Sequence, residues 1–151
     1  MAEGSGVIQE CVEAYLFSRN PLRLLIFRRP PTRGRIWVPV SGKVEPVDSN
    51  YEAATRREIA EETGITAPLG VWDLEWEFRF EGPDGRPWRL HAFAVEVVPE
   101  LQPELSSEHD AFAWVAPDEA LERLHYEDNR EAVRRLVHKL RGPAGAAPPN
   151  I

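Results

Sequence analysis

The sequence predicts an α/β fold in which a mixed β-sheet lies between layers of α-helix. Short apolar or alternating segments recur along the chain between turn residues, as is typical of strands. Two longer segments have helical features instead. Residues 50–63 carry helix start and stop signals, and residues 129–140 place their apolar side chains on one helical stripe. Strands combined with a few helices favour a sheet covered by helices around one core.

Six segments are predicted to be strands because they are apolar or alternate between apolar and polar residues. The clearest is residues 71–80, where tryptophan, leucine and phenylalanine occupy every second position and predict one buried face. The tetrapeptide Gly-Pro-Asp-Gly at residues 82–85 predicts a hairpin turn after it. The six predicted strands are residues 11–18, 22–28, 36–40, 71–80, 88–98 and 111–115.

The first predicted helix has recognisable ends. Ser49 with Glu52 three residues later matches the capping box of a helix start, and Gly64 is the usual residue after a helix end. A further short helix opens at Pro117, because proline is favoured at the first helical position. The helical segments are therefore predicted at residues 50–63, 117–124 and 129–140.

A chain of 151 residues is long enough for one well-buried domain, which is predicted at residues 1–141. Residues 142–151, rich in glycine, alanine and proline, are predicted to be a disordered tail. No apolar run approaches about 20 residues, so no membrane span is predicted. The single cysteine, Cys11, cannot form an internal disulfide and indicates a reducing, cytoplasmic setting.

The chain is acidic, with a formal net charge of −7 and an isoelectric point near 5.2. Broad binding to nucleic-acid polymers needs a basic surface, so such partners are not expected. A small phosphorylated ligand is compatible with this charge, because metal ions at a local site can override the overall field.

Three carboxylates crowd the last turns of the first predicted helix. Glu58 precedes Glu61 by three residues and Glu62 by four, which places all three on neighbouring positions of one helical face. Like charges at these spacings cost about 0.2–0.5 kcal/mol per pair, and anions at a helix C-terminus also oppose the macrodipole. One interpretation is a solvated, charged face. The other is a site for Mg²⁺ or Mn²⁺, since both cations bind carboxylate oxygens.

The same segment resembles the signature box of the Nudix hydrolases. Residues 57–65 read REIAEETGI and match the second half of that box at every defined position, and Gly42 matches its start. The resemblance implies a Nudix-type fold, in which a mixed β-sheet is sandwiched between α-helices. It also implies metal-dependent hydrolysis of a nucleoside diphosphate linked to another group. The upstream acid departs from the box, because it is Asp48 and not glutamate, and eight residues instead of seven separate it from Arg57.

The resemblance also suggests roles for five residues. It implies that Glu58 and Glu62 bind the catalytic Mg²⁺ or Mn²⁺, and that Glu61 is a further ligand or holds a water on the metal. Glu108 matches the loop acid of related hydrolases, which is a metal ligand or a general base. Without the resemblance, Glu108 is interpreted as an exposed loop residue. Arg57 belongs to the catalytic motif, where it usually has the structural task of holding a nearby carboxylate.

Segments outside the box resemble the branch that contains dATP and dihydroneopterin triphosphate pyrophosphohydrolases. These segments are residues 35–46, 105–115 and 127–136. The implied reaction releases a monophosphate and pyrophosphate from a nucleoside or pterin triphosphate. Two alternatives remain open: a dinucleoside polyphosphate hydrolase with the same chemistry, and a nucleotide-sensing module without turnover. The expected partner is a small phosphorylated molecule, and the oligomeric state is left open, with a homodimer as one alternative.

Four residues are candidates for substrate contacts. Arg28 and Arg29 follow an apolar strand, and since neighbouring strand residues face opposite ways, only one of them is expected to hold phosphate in a cleft. Lys43 is a candidate for contact with phosphate or with an acid of the helix. Trp37 is a candidate for stacking on a base, although aromatic residues at strand spacing are more often part of the core.

Asp48 is predicted to lie, together with the extra residue, in the loop before Tyr51, so that the register of the helix is unchanged. The motif is continuous from Arg57 onwards, and the capping signal falls at Ser49. A direct role for Asp48 in the metal site is therefore not predicted.

Overall fold

The computed structural model describes residues 7–141, which form a seven-stranded mixed sheet with helices on both faces. This agrees with the predicted fold class. The strands are β1 Gln9–Ser18, β2 Arg23–Arg28, β3 Trp37–Val38, β4 Val40–Lys43, β5 Gly70–Glu81, β6 Pro87–Glu96 and β7 Ala111–Val115. The helices are α1 Tyr51–Thr63, α2 Pro117–Arg123 and α3 Glu127–Arg141, and Pro31–Arg33 forms a 3-10 turn. The predicted tail at residues 142–151 lies outside the described residues.

Strand β1 is at the centre of the sheet. It pairs in parallel with β6 and antiparallel with β2 and β4. Strand β5 pairs with β6, and β7 pairs with β2, both antiparallel. Because β4 and β6 flank the N-terminal half of β1, side chains of these three strands form rows across one face of the sheet.

Side chains of β1 alternate between two apolar clusters on opposite faces of the sheet. On one face, Tyr15 and Phe17 pack with Leu136 of α3. On the other face, Leu16 packs with Ile59 of α1. Each fully buried leucine or phenylalanine side chain stabilises the fold by about 1.5–3 kcal/mol. The sheet is therefore held between α1 on one side and the α2–α3 pair on the other.

The predicted strand at residues 36–40 is divided into β3 and β4. Pro39 lies between them and has no backbone N–H to contribute to a ladder. Strand β3 pairs with β2, whereas β4 pairs with β1. This change of partner brings Gly42 directly beside α1.

The start of α1 differs from the predicted capping box. Asn50, and not Ser49, is the N-cap residue, because its side chain accepts a hydrogen bond from the Ala53 N–H at 2.7 Å. Glu52 pairs with Arg56 at 3.0 Å instead of reaching back to the cap. Asparagine and serine are comparably good caps, so the sequence did not separate the two adjacent positions.

The last helix, α3, begins earlier than predicted, at Glu127. Asp128 and Asn129 therefore lie in its first turn, and both are buried. None of the helices in the described part of the chain is long and apolar enough to cross a membrane.

Candidate active site

A cleft of about 1190 Å³ lies on the sheet face that carries α3. Strands β1, β4, β5 and β6 contribute to its floor, and side chains from α1, the Pro31–Arg33 turn, the β6–β7 loop and the start of α3 complete it. The volume is sufficient for a nucleotide-sized ligand, since small-molecule sites usually measure about 300–1,000 Å³. Acidic, cationic and aromatic side chains meet in this cleft.

Glu58 and Glu62 of α1 both line the cleft. Glu58 is only 7% exposed, and burial raises the pKa of its carboxyl to about 7. Burial also raises the pKa of Glu62. Glu61 is exposed and does not line the cleft. Helix α1 therefore directs two of its three clustered carboxylates into the cleft.

Strand β4 approaches the Glu58 side chain of α1 closely at Gly42, which has no β-carbon. A β-carbon there would lie 2.0 Å from the Cδ atom of Glu58 and 2.1 Å from its Oε2 atom. Because Gly42 has no side chain, the Glu58 carboxylate can lie against it at the edge of the cleft.

Arg57 connects three carboxylates beside the cleft. Its Nε and Nη2 atoms donate to the two carboxylate oxygens of Asp48, each at 2.9 Å, and Nη2 also donates to the Lys43 carbonyl. Its Nη1 atom donates to Glu58 at 3.0 Å and to Glu61 at 3.2 Å. The guanidinium keeps the pKa of Asp48 below its ordinary value. Asp48 does lie in the loop before α1, yet through Arg57 it is connected to Glu58 and Glu61.

No group of three or more histidine, cysteine, aspartate or glutamate side chains within residues 7–141 is arranged to hold a metal ion. Glu58 and Glu62 nevertheless fit magnesium chemically, because Mg²⁺ is usually bound by one or two carboxylates together with waters and substrate phosphates. The space that Gly42 provides for a buried carboxylate supports this fit. Carboxyls whose charge is penalised by burial also gain most from a nearby cation.

Another acid that lines the cleft, Glu108, belongs to the loop between β6 and β7. Its carboxylate is half exposed and pairs with Arg33 of the 3-10 turn at 2.9 Å. In the same loop, the Ser106 hydroxyl donates a hydrogen bond to Glu62 and accepts one from the Glu108 N–H. Neither Arg33 nor Ser106 was predicted from the sequence, because an exposed arginine and a loop serine carry no distinctive pattern.

Of the four predicted substrate contacts, two lie in the cleft and two lie outside it. Arg29 and Lys43 line the cleft. Arg28 forms an ion pair with Asp110 at 2.9 Å instead, because consecutive residues of an extended chain face opposite sides. Trp37 packs against the apolar core beneath α2 and α3, with a guanidinium of α2 over its ring. Arg28 and Trp37 therefore do not line the cleft.

Four buried polar side chains at the cleft, Glu13, Tyr15, Asp128 and Asn129, form a hydrogen-bonded cluster, the buried polar group, which was not predicted from the sequence. Tyr15 donates to Glu13 at 2.7 Å, and the Asn129 amide nitrogen donates to Tyr15 at 3.0 Å. Burial, together with the charge of Asp128, raises the pKa of Glu13 to about 8. The Asn129 Oδ1 atom is buried and has no hydrogen-bond partner among the described residues. The available signal was Glu13, which is a lone acid between apolar residues of a strand.

Aromatic side chains of β5 lie next to this polar group. Trp76 and Phe78 line the cleft, and the Trp76 indole donates to the Asp128 carbonyl at 3.3 Å. Phe80 and Trp88 extend the same wall. Such a surface suits the flat ring of a base.

Comparisons with known proteins agree with this fold. A family model of the NUDIX domain matches residues 10–136. An octanoyltransferase of Myxococcus xanthus is 41% identical over 128 residues, which are 82% of this chain and 35% of that protein, so this chain spans about a third of its length. The CTP pyrophosphohydrolase of Escherichia coli (strain K12) is 34% identical over 103 residues, or 66% of this chain and 71% of that protein. The solved structure of the E. coli dihydroneopterin triphosphate pyrophosphohydrolase is 22% identical, with a TM-score of 0.75 over 87% of this chain and 97% of that one.

Proposed function

This chain belongs to the NUDIX family of hydrolases, and we propose that it is a divalent-metal-dependent pyrophosphohydrolase. Its substrate is a nucleoside or pterin triphosphate, and its products are the monophosphate and pyrophosphate. The observation that carries the proposal is one cleft that combines two α1 carboxylates, cationic side chains and a buried polar group beside an aromatic wall. The E. coli relative is named a CTP pyrophosphohydrolase, which supports the class of reaction.

Glu58 and Glu62 hold Mg²⁺ or Mn²⁺ in this proposal. Such a cation, when bound, neutralises phosphate oxygens and makes water a better nucleophile towards phosphorus. Arg29 and Lys43 line the same cleft and supply positive charge for the remaining phosphate oxygens. The chain as a whole is acidic, so these cationic groups are needed to attract an anionic substrate locally.

Glu108 acts as the general base. Its side chain lines the cleft, and its ion pair with Arg33 is half exposed. Exposed pairs of this kind contribute about 0–1 kcal/mol, so substrate binding can readily replace this one. Arg33, which also lines the cleft, then becomes available to a phosphate. Glu61 is the less favourable candidate, because it lies outside the cleft and is bound to Arg57.

The buried polar group favours a base that carries an exocyclic amino group. Glu13 and Asp128 line the cleft and supply carboxylate acceptors, and the Asn129 amide nitrogen lies 3.4 Å from one oxygen of each. A buried carboxylate oxygen with too few hydrogen bonds costs about 1–3 kcal/mol, which an amino group of a ligand would reduce. Cytosine, adenine, guanine and pterins carry such a group, whereas uracil and thymine have a carbonyl oxygen in its place.

A comparison of CTP with UTP tests the base preference, because the two differ in the amino or carbonyl group at one ring position. We expect kcat/KM to be at least about tenfold higher for CTP, which corresponds to 1.4 kcal/mol and lies within the range for one satisfied acceptor. Equal values for the two substrates would remove the buried polar group as the feature that selects the base.

The reaction itself is tested with a wider panel of substrates in Mg²⁺ and Mn²⁺, with products separated by chromatography. Monophosphate and pyrophosphate are expected from a triphosphate. Glu62→Gln should remove most of the activity, whereas the matched control Glu52→Gln should not, because Glu52 is exposed on the same helix and pairs with Arg56. Turnover of diadenosine tetraphosphate alone would favour a dinucleoside polyphosphate hydrolase. Tight nucleotide binding without any turnover would favour a sensing module.

A further inference from the structure

The Ser106 hydroxyl group contacts both Glu62 of α1 and the backbone of Glu108 in the β6–β7 loop. Its Oγ atom donates to the Oε1 atom of Glu62 and accepts a hydrogen bond from the Glu108 N–H at 3.2 Å. We propose that Ser106 is a positioning residue, which orients the Glu62 carboxylate for the cation and fixes the start of the segment that carries Glu108. This inference rests on the proposed function, because it assigns Glu62 to the cation and Glu108 to proton transfer.

The backbone of the loop is held against α1 independently of this hydroxyl. The Ser106 N–H donates to the Glu62 carbonyl at 3.2 Å, and the Glu104 N–H donates to the Thr63 carbonyl at 2.9 Å. Carbonyls in the last turn of a helix have no partner within the helix, so these bonds satisfy groups that α1 leaves open. Removal of the hydroxyl should therefore leave the loop in place and change mainly what the hydroxyl contacts.

The hydroxyl occupies only one of the two oxygens of Glu62. The hydrogen bond to Oε1 restricts rotation of the carboxylate and leaves Oε2 available for another partner. Side chains that orient metal ligands in this way usually change metal affinity or activity by about 10–100-fold when they are removed. We expect the effect of Ser106 to lie at the lower end of this range, because the main-chain bonds still hold the loop against α1.

The sharpest test compares Ser106→Thr with Ser106→Val, because these two side chains have the same shape and differ in the hydroxyl. Mn²⁺ is titrated into each protein without substrate, and binding is followed by electron paramagnetic resonance. We expect the valine variant to bind Mn²⁺ about tenfold more weakly than the threonine variant. Ser107→Ala is the matched control and should bind like the wild type, because Ser107 is exposed and has no side-chain hydrogen bond among the described residues. Equal or tighter binding by the valine variant would overturn the proposal.

A second measurement needs no metal. Hydrogen exchange of the metal-free proteins should be faster at the Glu108 amide in Ser106→Val than in Ser106→Thr, because this amide loses its acceptor. Equal exchange would overturn the link between Ser106 and Glu108. Glu62→Gln distinguishes failure of the metal site from failure of the role of Ser106 alone. If it leaves Mn²⁺ affinity unchanged, the proposed metal site and the role of Ser106 both fail. If it weakens Mn²⁺ binding while Ser106→Thr and Ser106→Val bind Mn²⁺ equally well, only the role of Ser106 fails.

Discussion

Replacing Gly42 with alanine should displace the Glu58 carboxylate and leave the rest of the fold in place. The added β-carbon would lie 2.0 Å from Cδ of Glu58, whereas ordinary contacts of this kind begin at 3.4 Å. The carboxylate must therefore retreat by about 1.4 Å. The displaced atoms are the end of a flexible side chain and not backbone. The substitution should therefore lower the stability of the fold only slightly and mainly impair metal binding.

The size of this displacement sets the expected loss. Metal–ligand distances are held to within about 0.2 Å, and a misplacement of about 1 Å in an active site can cost 10²-fold in rate. We expect Gly42→Ala to lower kcat/KM by at least about 10²-fold and Mn²⁺ affinity by about as much as Glu58→Gln does. Weakening of the 3.0 Å hydrogen bond from Arg57 should lower the free energy of unfolding by about 1 kcal/mol.

Mn²⁺ titration without substrate and thermal melting measure these two effects separately. Gly85→Ala is the matched control, because its β-carbon meets nothing within 4 Å although its φ of +82° strains an alanine. This control should lose about 1–2 kcal/mol of stability and keep its Mn²⁺ affinity. Wild-type Mn²⁺ affinity in a normally folded Gly42→Ala protein would show that Gly42 does not position the Glu58 carboxylate for the cation. Melting far below Gly85→Ala would show instead that Gly42 serves the fold.

Three further predictions concern other acids. In steady-state kinetics, Glu108→Gln should lower kcat by about 10²–10⁴-fold with a much smaller change in KM, and Mn²⁺ binding without substrate should stay normal. Glu104→Gln in the same loop should be tolerated. A near wild-type kcat for Glu108→Gln would exclude Glu108 as the base. Asp48→Asn loosens Arg57 without removing a cleft carboxylate, so it should reduce activity far less than Glu62→Gln does; equal losses in the same assay would place Asp48 in the metal site. The pKa of Glu13 is raised from 4.5 to about 8, so the folded protein keeps a proton that the unfolded chain loses, and this contribution to stability falls as pH rises between these values. Glu13→Gln should remove a decline of roughly 3–4 kcal/mol in the free energy of unfolding between pH 5 and pH 8, measured by urea unfolding, and an unchanged decline would contradict the assignment.

The local features of the site could be predicted from the sequence because the periodicity of the backbone relates near neighbours in the chain. The spacing of Glu58 and Glu62 places them on one helical face whatever the helix packs against. Gly64 ends α1 with a φ of 75°, as its position in the sequence predicted. The alternation in residues 71–80 likewise corresponds to β5, which has one face towards the core and the cleft.

Contacts between distant segments were decided by the tertiary structure alone. Glu13 and Asn129 are 116 residues apart, and Arg33 and Glu108 are 75 residues apart, yet each pair meets at the cleft. Alternation along a strand predicts that two faces exist, but it does not predict which face becomes the cleft. The sequence therefore left open whether Trp37 lies in the core, where it packs, or in the cleft. The order and register of the strands select the faces that meet, because hydrogen bonds between strands and burial of apolar side chains are satisfied by the whole sheet and not by any single segment.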